Sequence, residues 1–183
     1  MPTTLTPVQA TLHSARFALR PVRMSDLSQI EHYTSDVQLA VRTASIPHPL
    51  PPGLIAAFIE RATAPAREED VWVMDGSANA GAQAGAEVMG VISLMRLCRN
   101  QAEVGYWVAP PFWGQRVATD AVATLVAGNP LGNDTIFATA FQDNPASAKV
   151  VLNAGFTYLG EAETFCTARG ATVPTWTYSL KLR

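Results

Sequence analysis

From Ala102 to Ala121 the chain reads Ala-Glu-Val-Gly-Tyr-Trp-Val-Ala-Pro-Pro-Phe-Trp-Gly-Gln-Arg-Val-Ala-Thr-Asp-Ala, a strand pattern that stops at two prolines and resumes as a helix. A helix that begins in such a tight turn leaves backbone N–H groups, here at residues 114 to 119, without intrahelical acceptors. Those groups, with the positive end of the helix dipole, suit an anion, and the small residues Gly114, Ala118 and Thr119 let phosphate oxygens come close to the backbone. Glu103 shares a strand face with Gly105 and Trp107, because strand side chains alternate, and it is an ionisable group in an otherwise apolar strand just upstream. Asn144-Pro145-Ala146-Ser147 opens a second helix after the next strand and brings further polar groups to the same edge. From geometry alone, an ordinary strand-to-helix connection competes with a ligand site here.

The elements that must position these residues follow from the apolar spacing. Arg16-Phe17-Ala18-Leu19-Arg20 alternates like an edge strand, and Ser25 caps an expected helix with Leu27 and Ile30 on its apolar side. The run Ile46-Pro47-His48-Pro49-Leu50-Pro51-Pro52-Gly53 breaks helix continuity before a second helix from about Leu54 to Ala62. Val71 to Met74, Val88 to Leu97 and Ala102 to Val108 read as a meander of three strands with a Gly/Ala-rich loop from Gly76 to Ala86. That loop lacks G-x-G-x-x-G and opens no helix, so it gives no dinucleotide site. Val117, Ala121, Val122 and Leu125 form a helical stripe ended by Gly128 and Pro130. A strand over Ile136 to Phe141, a helix capped by Asn144 with Pro145 in its first position and Gly155 past its end, and strands at Phe156 to Leu159 and Thr175 to Leu182 complete the order. This is an α/β arrangement: a mixed sheet, antiparallel in its first half, with helices on both faces and the later helices as crossovers.

The 183 residues are 48% hydrophobic and 15% charged, which fits one domain over 1–183 that needs neither disulfides nor metal, with 1–15 a flexible N-terminal segment. A formal net charge of −2 offers no general attraction for nucleic acid or an anionic membrane. Cys98 and Cys166 lie in apolar strand-like contexts without metal or redox spacing, so both are expected as reduced packing thiols in a cytoplasmic protein. No apolar run approaches the length of a membrane span.

The order of elements and three stretches resemble the GNAT superfamily of acyl-coenzyme A dependent N-acetyltransferases, most closely its Rim-type branch of ribosomal-protein N-terminal acetyltransferase relatives. Glu103 to Trp107 matches the Glu-x-Gly-Tyr-Trp strand of that family, Phe112 to Ala121 its Phe-Trp-Gly-x-Gly-x-Ala-Thr-Glu-Ala turn, and Asn144, Ser147, Gly155 and Phe156 its Asn-x-x-Ser and Gly-Phe pieces. The resemblance runs from Arg16 to Leu182. It implies a mostly antiparallel sheet of six to seven strands, splayed in the middle, where the pantetheine arm of acetyl-coenzyme A enters. It further implies coenzyme contacts from Val108, Trp113, Gly114, Gln115, Arg116, Val117, Ala118, Thr119, Asn144 and Ser147. Arg116 stands where the family has its second glycine. An ordinary helical first turn there, with the guanidinium free to reach a phosphate, is the favoured reading against a distorted cradle.

The implied reaction is direct attack of an amine on the thioester, with acetyl-coenzyme A as cosubstrate and no metal. Glu103 is the candidate acceptor of the ammonium proton and Ser147 the candidate donor to the departing thiolate, since Val151 occupies the position where many superfamily members carry a tyrosine acid. Tyr106 and Trp107 are expected as core or pocket wall, and Asn144 mainly as a helix cap. The acceptor is a peptide N-terminal amine or a small amine, placed between the 35–53 segment and the loop near 161–174, where Asp36, Arg42, His48, Glu161, Glu163 and Arg169 lie. Monomer and homodimer stay open. A non-catalytic acyl-coenzyme A binding domain is the alternative to the enzyme.

Overall fold

The structure, a computed structural model, describes residues 8–182. Its strands are β1 (Leu12–His13), β2 (Ala18–Pro21), β3 (Glu69–Asp75), β4 (Gly90–Leu97), β5 (Gln101–Val108), β6 (Thr135–Phe141), β7 (Thr157–Cys166) and β8 (Ala171–Lys181). Its helices are α1 (Leu27–Thr34), α2 (Val37–Ala40), α3 (Leu54–Thr63), α4 (Val117–Gly128) and α5 (Pro145–Asn153). The strands form one sheet in the order β1-β2-β3-β4-β5-β6-β8-β7. Every neighbouring pair is antiparallel except β5 and β6.

The mixed, mostly antiparallel sheet is as expected, with eight strands rather than six to seven. The additional strand is β1, paired with β2 through Leu12 and Leu19. It lies inside the N-terminal segment expected to be flexible. Within the described residues, that segment is anchored: the Gln9 side chain donates to the Val71 carbonyl at 2.8 Å, and the Trp72 indole donates to the Ala10 carbonyl at 2.8 Å. Residues 1–7 lie outside the described residues.

Strand β3 has five consecutive buried residues, Asp70 to Met74, as befits a central strand covered on both faces. The α4 stripe lands as its spacing requires, with Val117, Ala121, Val122 and Leu125 buried. Helix α4 joins the parallel neighbours β5 and β6. Helix α5 leads from β6 to β7, but β8 inserts between these two parallel strands. Ser25 does not cap a helix; Met24–Asp26 form a 3-10 turn, and buried Asp26 accepts the Arg23 N–H at 2.8 Å and pairs with Arg20 at 2.8 Å. Strand β7 runs well beyond Leu159 because it is an exposed edge strand carrying Glu161 and Glu163, so no apolar alternation marks it. Cys166 is buried as expected, whereas Cys98 is exposed in the β4–β5 turn.

Candidate active site

Strands β5 and β6 pair only from Gln101 to Val104 against Thr135 to Ala138. Beyond that point Gly105–Val108 and Thr139–Phe141 diverge, so the sheet opens into a wedge at the C-terminal end of its one parallel pair. The α5 side of the wedge is tied to β5 by Tyr106, whose hydroxyl lies 2.8 Å from Ser147 Oγ and 3.1 Å from the Ser147 carbonyl.

The turn after β5 is built by Pro110–Phe112, a 3-10 segment, and then by Gly114 at φ 73 and Arg116 at φ 61, ψ 18. The expected helical first turn at Arg116 is therefore not what forms: Arg116 occupies the left-handed region, the conformation a glycine would take without steric cost. A neighbour explains how the turn is held. Arg16 donates to the Gln115 carbonyl at 2.7 Å and pairs with Asp120 in the first turn of α4 at 2.6 Å. Gln115 itself donates to the Pro111 carbonyl at 3.1 Å. The first backbone bond of α4 runs from Asp120 N–H to the Arg116 carbonyl, leaving the amides of Val117, Ala118 and Thr119 without intrahelical acceptors.

Two cavities meet at the wedge. The smaller, about 290 Å³, is lined by the turn and the start of α4, and includes nine of the ten expected coenzyme residues: Val108, Trp113, Gly114, Arg116, Val117, Ala118, Thr119, Asn144 and Ser147. Gln115 is the exception, occupied with the turn's own bonds. The larger, about 540 Å³, lies over the Glu103 face of the sheet beneath α1 and α3. Arg42, Thr43, Tyr106, Trp107, Asn144 and Ser147 border both cavities, so a ligand atom at this junction is reachable from either side.

Glu103 is half-buried on the floor of the larger cavity and accepts a 3.0 Å hydrogen bond from the Thr139 hydroxyl. Ser147 sits in the first turn of α5 at the junction. Asn144 holds the N-cap position, but its side chain makes no capping bond, which leaves its amide facing both cavities. Burial pushes the Tyr106 phenol up to about 12, partly opposed by its hydrogen bond with Ser147. Tyr106 therefore remains a proton donor at neutral pH.

Residues 41–44, which line the cavities through Arg42 and Thr43, form a strap bonded to the end of β7 and the β7–β8 turn. Arg169 donates to the Val41 carbonyl at 2.8 Å, the Thr167 N–H donates to the Ala44 carbonyl at 2.9 Å, and the Cys166 thiol donates to the Thr43 carbonyl at 3.2 Å. Arg169 also binds both oxygens of Asp143, and this hydrogen-bonded pairing holds the Asp143 carboxyl below the usual carboxylate range. The strap carries Arg42, whose guanidinium lies 4.7 Å over the Trp113 ring.

Of the residues expected near the acceptor, only Arg42 lines the larger cavity. Asp36 caps α2, Arg169 is engaged with Asp143, and exposed His48, Glu161 and Glu163 line neither cavity. Sequence reasoning missed Leu54, Phe58, Arg61, Glu69, Ser93 and Thr139, which do line it. It also passed over the Tyr106 hydroxyl; the register of β5 against α5, which no local spacing encodes, was the missing signal. Among the described residues, no three His, Cys, Asp or Glu side chains gather to hold a metal ion, and no helix is long and apolar enough to cross a membrane.

Residues 16–157 match the model of the acetyltransferase (GNAT) domain family. An uncharacterized N-acetyltransferase of Bacillus subtilis, YoaA, is 30% identical over 98 residues, which span 51% of this chain and about half of that relative (55%). The microcin C7 self-immunity acetyltransferase MccE, solved with acetyl-CoA and AMP, superposes with a TM-score of 0.77 at 17% identity, covering 92% of this chain and 94% of that one. The ribosomal-protein-S5-alanine acetyltransferase of Vibrio fischeri superposes with a TM-score of 0.74 at 20% identity, covering 94% and 96%.

Proposed function

The chain belongs to the acetyltransferase (GNAT) family, and from that membership we propose that it moves an acetyl group from acetyl-coenzyme A to a primary amine by direct attack within a ternary complex. It is an acetyl-coenzyme A dependent N-acetyltransferase. The observation that carries the finer reading is the junction: the open end of the β5–β6 wedge connects a cavity with free helix-start amides to a second cavity floored by a carboxylate. The coenzyme fits the smaller cavity because Val117, Ala118 and Thr119 amides lack intrahelical acceptors, while nothing lies within 4 Å of where a Cβ on Gly114 would stand. Arg116 in place of a second glycine would favour a non-catalytic coenzyme binder if it distorted the turn, but the left-handed backbone is kept.

In this reading the amine nitrogen bonds to the thioester carbon as the carbon–sulfur bond breaks. Glu103, directly or through a water, takes the proton that the ammonium must lose. Ser147 donates a hydrogen bond or a proton to the departing thiolate, and the Tyr106 hydroxyl, 2.8 Å from Ser147 Oγ, supports that donation. Asn144 and the amides of residues 114–119 orient the coenzyme, with Trp113 and Val108 forming the channel wall; the Trp113 indole is fixed on the Val108 carbonyl at 2.6 Å. The acceptor in this reading is a peptide N-terminal amine, as in the Rim-type branch, or a small amine; the V. fischeri S5-alanine acetyltransferase and the Vibrio cholerae spermidine N-acetyltransferase superpose equally well, each with a TM-score of 0.74. A single domain acting in the cytoplasm, as monomer or homodimer, belongs to the same reading.

The experiment is a thermal-shift titration with acetyl-coenzyme A followed by thiol release in the presence of amines. Stabilisation by the coenzyme, amine-dependent thiol release and a large loss of turnover in Glu103→Gln are expected. Unaltered turnover in Glu103→Gln removes that residue from the mechanism.

A further inference from the structure

We propose that the larger cavity takes a primary amine borne on a large apolar group, aliphatic or aromatic, and that Phe58 sets this preference. The proposal rests on the acetyl-transfer reading above and specifies its acceptor. Helix α3 presents Leu54, Phe58 and Arg61 to the cavity at spacings of four and three residues, which place them on one stripe of its surface. Leu54 and Phe58 are half-buried, whereas Ile55 and Ile59 of the same helix are buried, so Phe58 packs against the core with one side and leaves apolar surface on the cavity beside Leu54 and Ile55. Ile46 from the proline-rich segment extends this wall. Apolar surface of this kind inside a concave site is desolvated by an apolar ligand group and gains nothing from a charged one.

The opposite wall supplies the amine position. Glu103, Gly105 and Trp107 lie on one face of β5, in register with Met95, Ser93 and Val91 of β4. Gly105 carries no side chain, and a Cβ there would stand 3.6 Å from Ser93 Oγ, so the floor between Glu103 and the Tyr106–Ser147 junction is open to a small cationic head. The charges of the cavity do not favour a polycation. Its lining holds two carboxylates, Glu69 and Glu103, against two guanidiniums, Arg42 and Arg61, and Arg42 sits at the coenzyme end over Trp113. With Glu103 on the first ammonium, the lining that remains, Glu69 against Arg42 and Arg61, carries a net positive charge and disfavours a second ammonium. A single ammonium at Glu103 with an apolar body on Phe58 satisfies both walls.

Two sources share this chemistry, a free alkyl or arylalkyl amine and a peptide whose first residue is large and apolar. The test measures kcat/KM for thiol release at saturating acetyl-coenzyme A with isoamylamine, phenethylamine, spermidine, and peptides identical except for Phe, Leu or Ala as first residue. Expected are values at least about tenfold higher for Phe and Leu than for Ala peptides, the discrimination an apolar pocket achieves, and spermidine below the apolar amines. Preference for the peptides over the free amines identifies a protein N-terminus as the source, and the reverse a small molecule. Phe58→Ala is expected to erase the preference through KM while coenzyme binding in the thermal-shift titration is unchanged, and Phe58→Glu to move selectivity toward spermidine. Spermidine or the Ala peptide used as well as the apolar acceptors, or a preference that survives Phe58→Ala, overturns the acceptor proposal alone. Coenzyme binding without thiol release from any of these amines overturns the transfer reading together with it.

Discussion

At the scale of single residues, the proposed reaction turns on Tyr106 meeting Ser147. A serine of ordinary acidity is a weak acid, and the phenol 2.8 Å from its oxygen can share the negative charge that develops there when the serine gives up its proton. Ser147→Ala is expected to lower kcat by about a hundredfold or less, and Tyr106→Phe by a smaller factor with little change in KM for the acceptor, as steady-state kinetics will show. Because burial pushes the Tyr106 phenol up to about 12, its ionisation brings no alkaline fall in the wild-type pH–rate profile below about pH 10. A fall near pH 10 that Tyr106→Phe abolishes contradicts this assignment. Arg116 gives a second residue-level expectation. A side chain at φ 61 carries a conformational cost that glycine avoids, so Arg116→Gly is expected to stabilise the fold by about 0.5–1 kcal/mol in urea denaturation. The left-handed turn was not legible from Arg116 itself, since arginine is at home in a helical first turn; it is imposed by Gly114 and by Arg16, about a hundred residues away in sequence. That Glu103, Ser147 and the residues around Gly114 gather at the two cavities was legible because motif order and strand alternation depend on near neighbours, whereas Phe58 reaches the larger cavity only through the packing of α3 across the sheet.

At the scale of elements, the start of α4 and the 41–44 strap share a design in which arginines, Arg16 and half-buried Arg169, hold carbonyl groups of turns. Arg16 contributes little through its half-exposed ion pair with Asp120, the usual result for surface pairs. Its bond to the Gln115 carbonyl has a different consequence, since that carbonyl belongs to the turn that aims the free amides. Arg16→Ala is therefore expected to raise the Kd for coenzyme A several-fold while moving Tm by only a few degrees, measured by calorimetric titration and thermal melt. The long helices were readable from their stripes and stops, α3 and α4 to within about a residue at their starts. The edge elements were not. Strand β1 has two residues and too little sequence to show a period, and β7 is exposed on nearly every position, so burial never wrote alternation into it.

At the scale of the whole molecule, Arg20 joins β2 to the turn before α1 and to the end of β3. It binds Asp26 at 2.8 Å and Asp75 at 2.6 Å. Burial pushes the Asp75 carboxyl upward, but hydrogen bonds from Ser77 and Arg20 more than offset it, and the net shift is downward. A carboxyl lowered in the folded state stabilises the fold above its unfolded value, about 3.9, and that contribution disappears as pH falls through the folded value. Tm is thus expected to hold between about pH 7 and 5 and to drop below about pH 4 in scanning calorimetry, with Asp75→Asn less stable than wild type at pH 7 and the difference narrowing at pH 3. Strands β1 to β5 make one plate and β6, β8 and β7 another, and among the described residues the four-residue pairing of β5 with β6 is the only ladder that joins them. In the proposed reading a pantetheine chain bonded along the parted edges would act as a surrogate strand, the reactant supplying the missing rungs of the sheet. Deuterium uptake at the amides of Gly105–Val108 and Thr139–Phe141 should then slow markedly when coenzyme is added, and the two plates, already joined by a shared core and by Tyr106 on Ser147, should stiffen further for as long as the thioester is held.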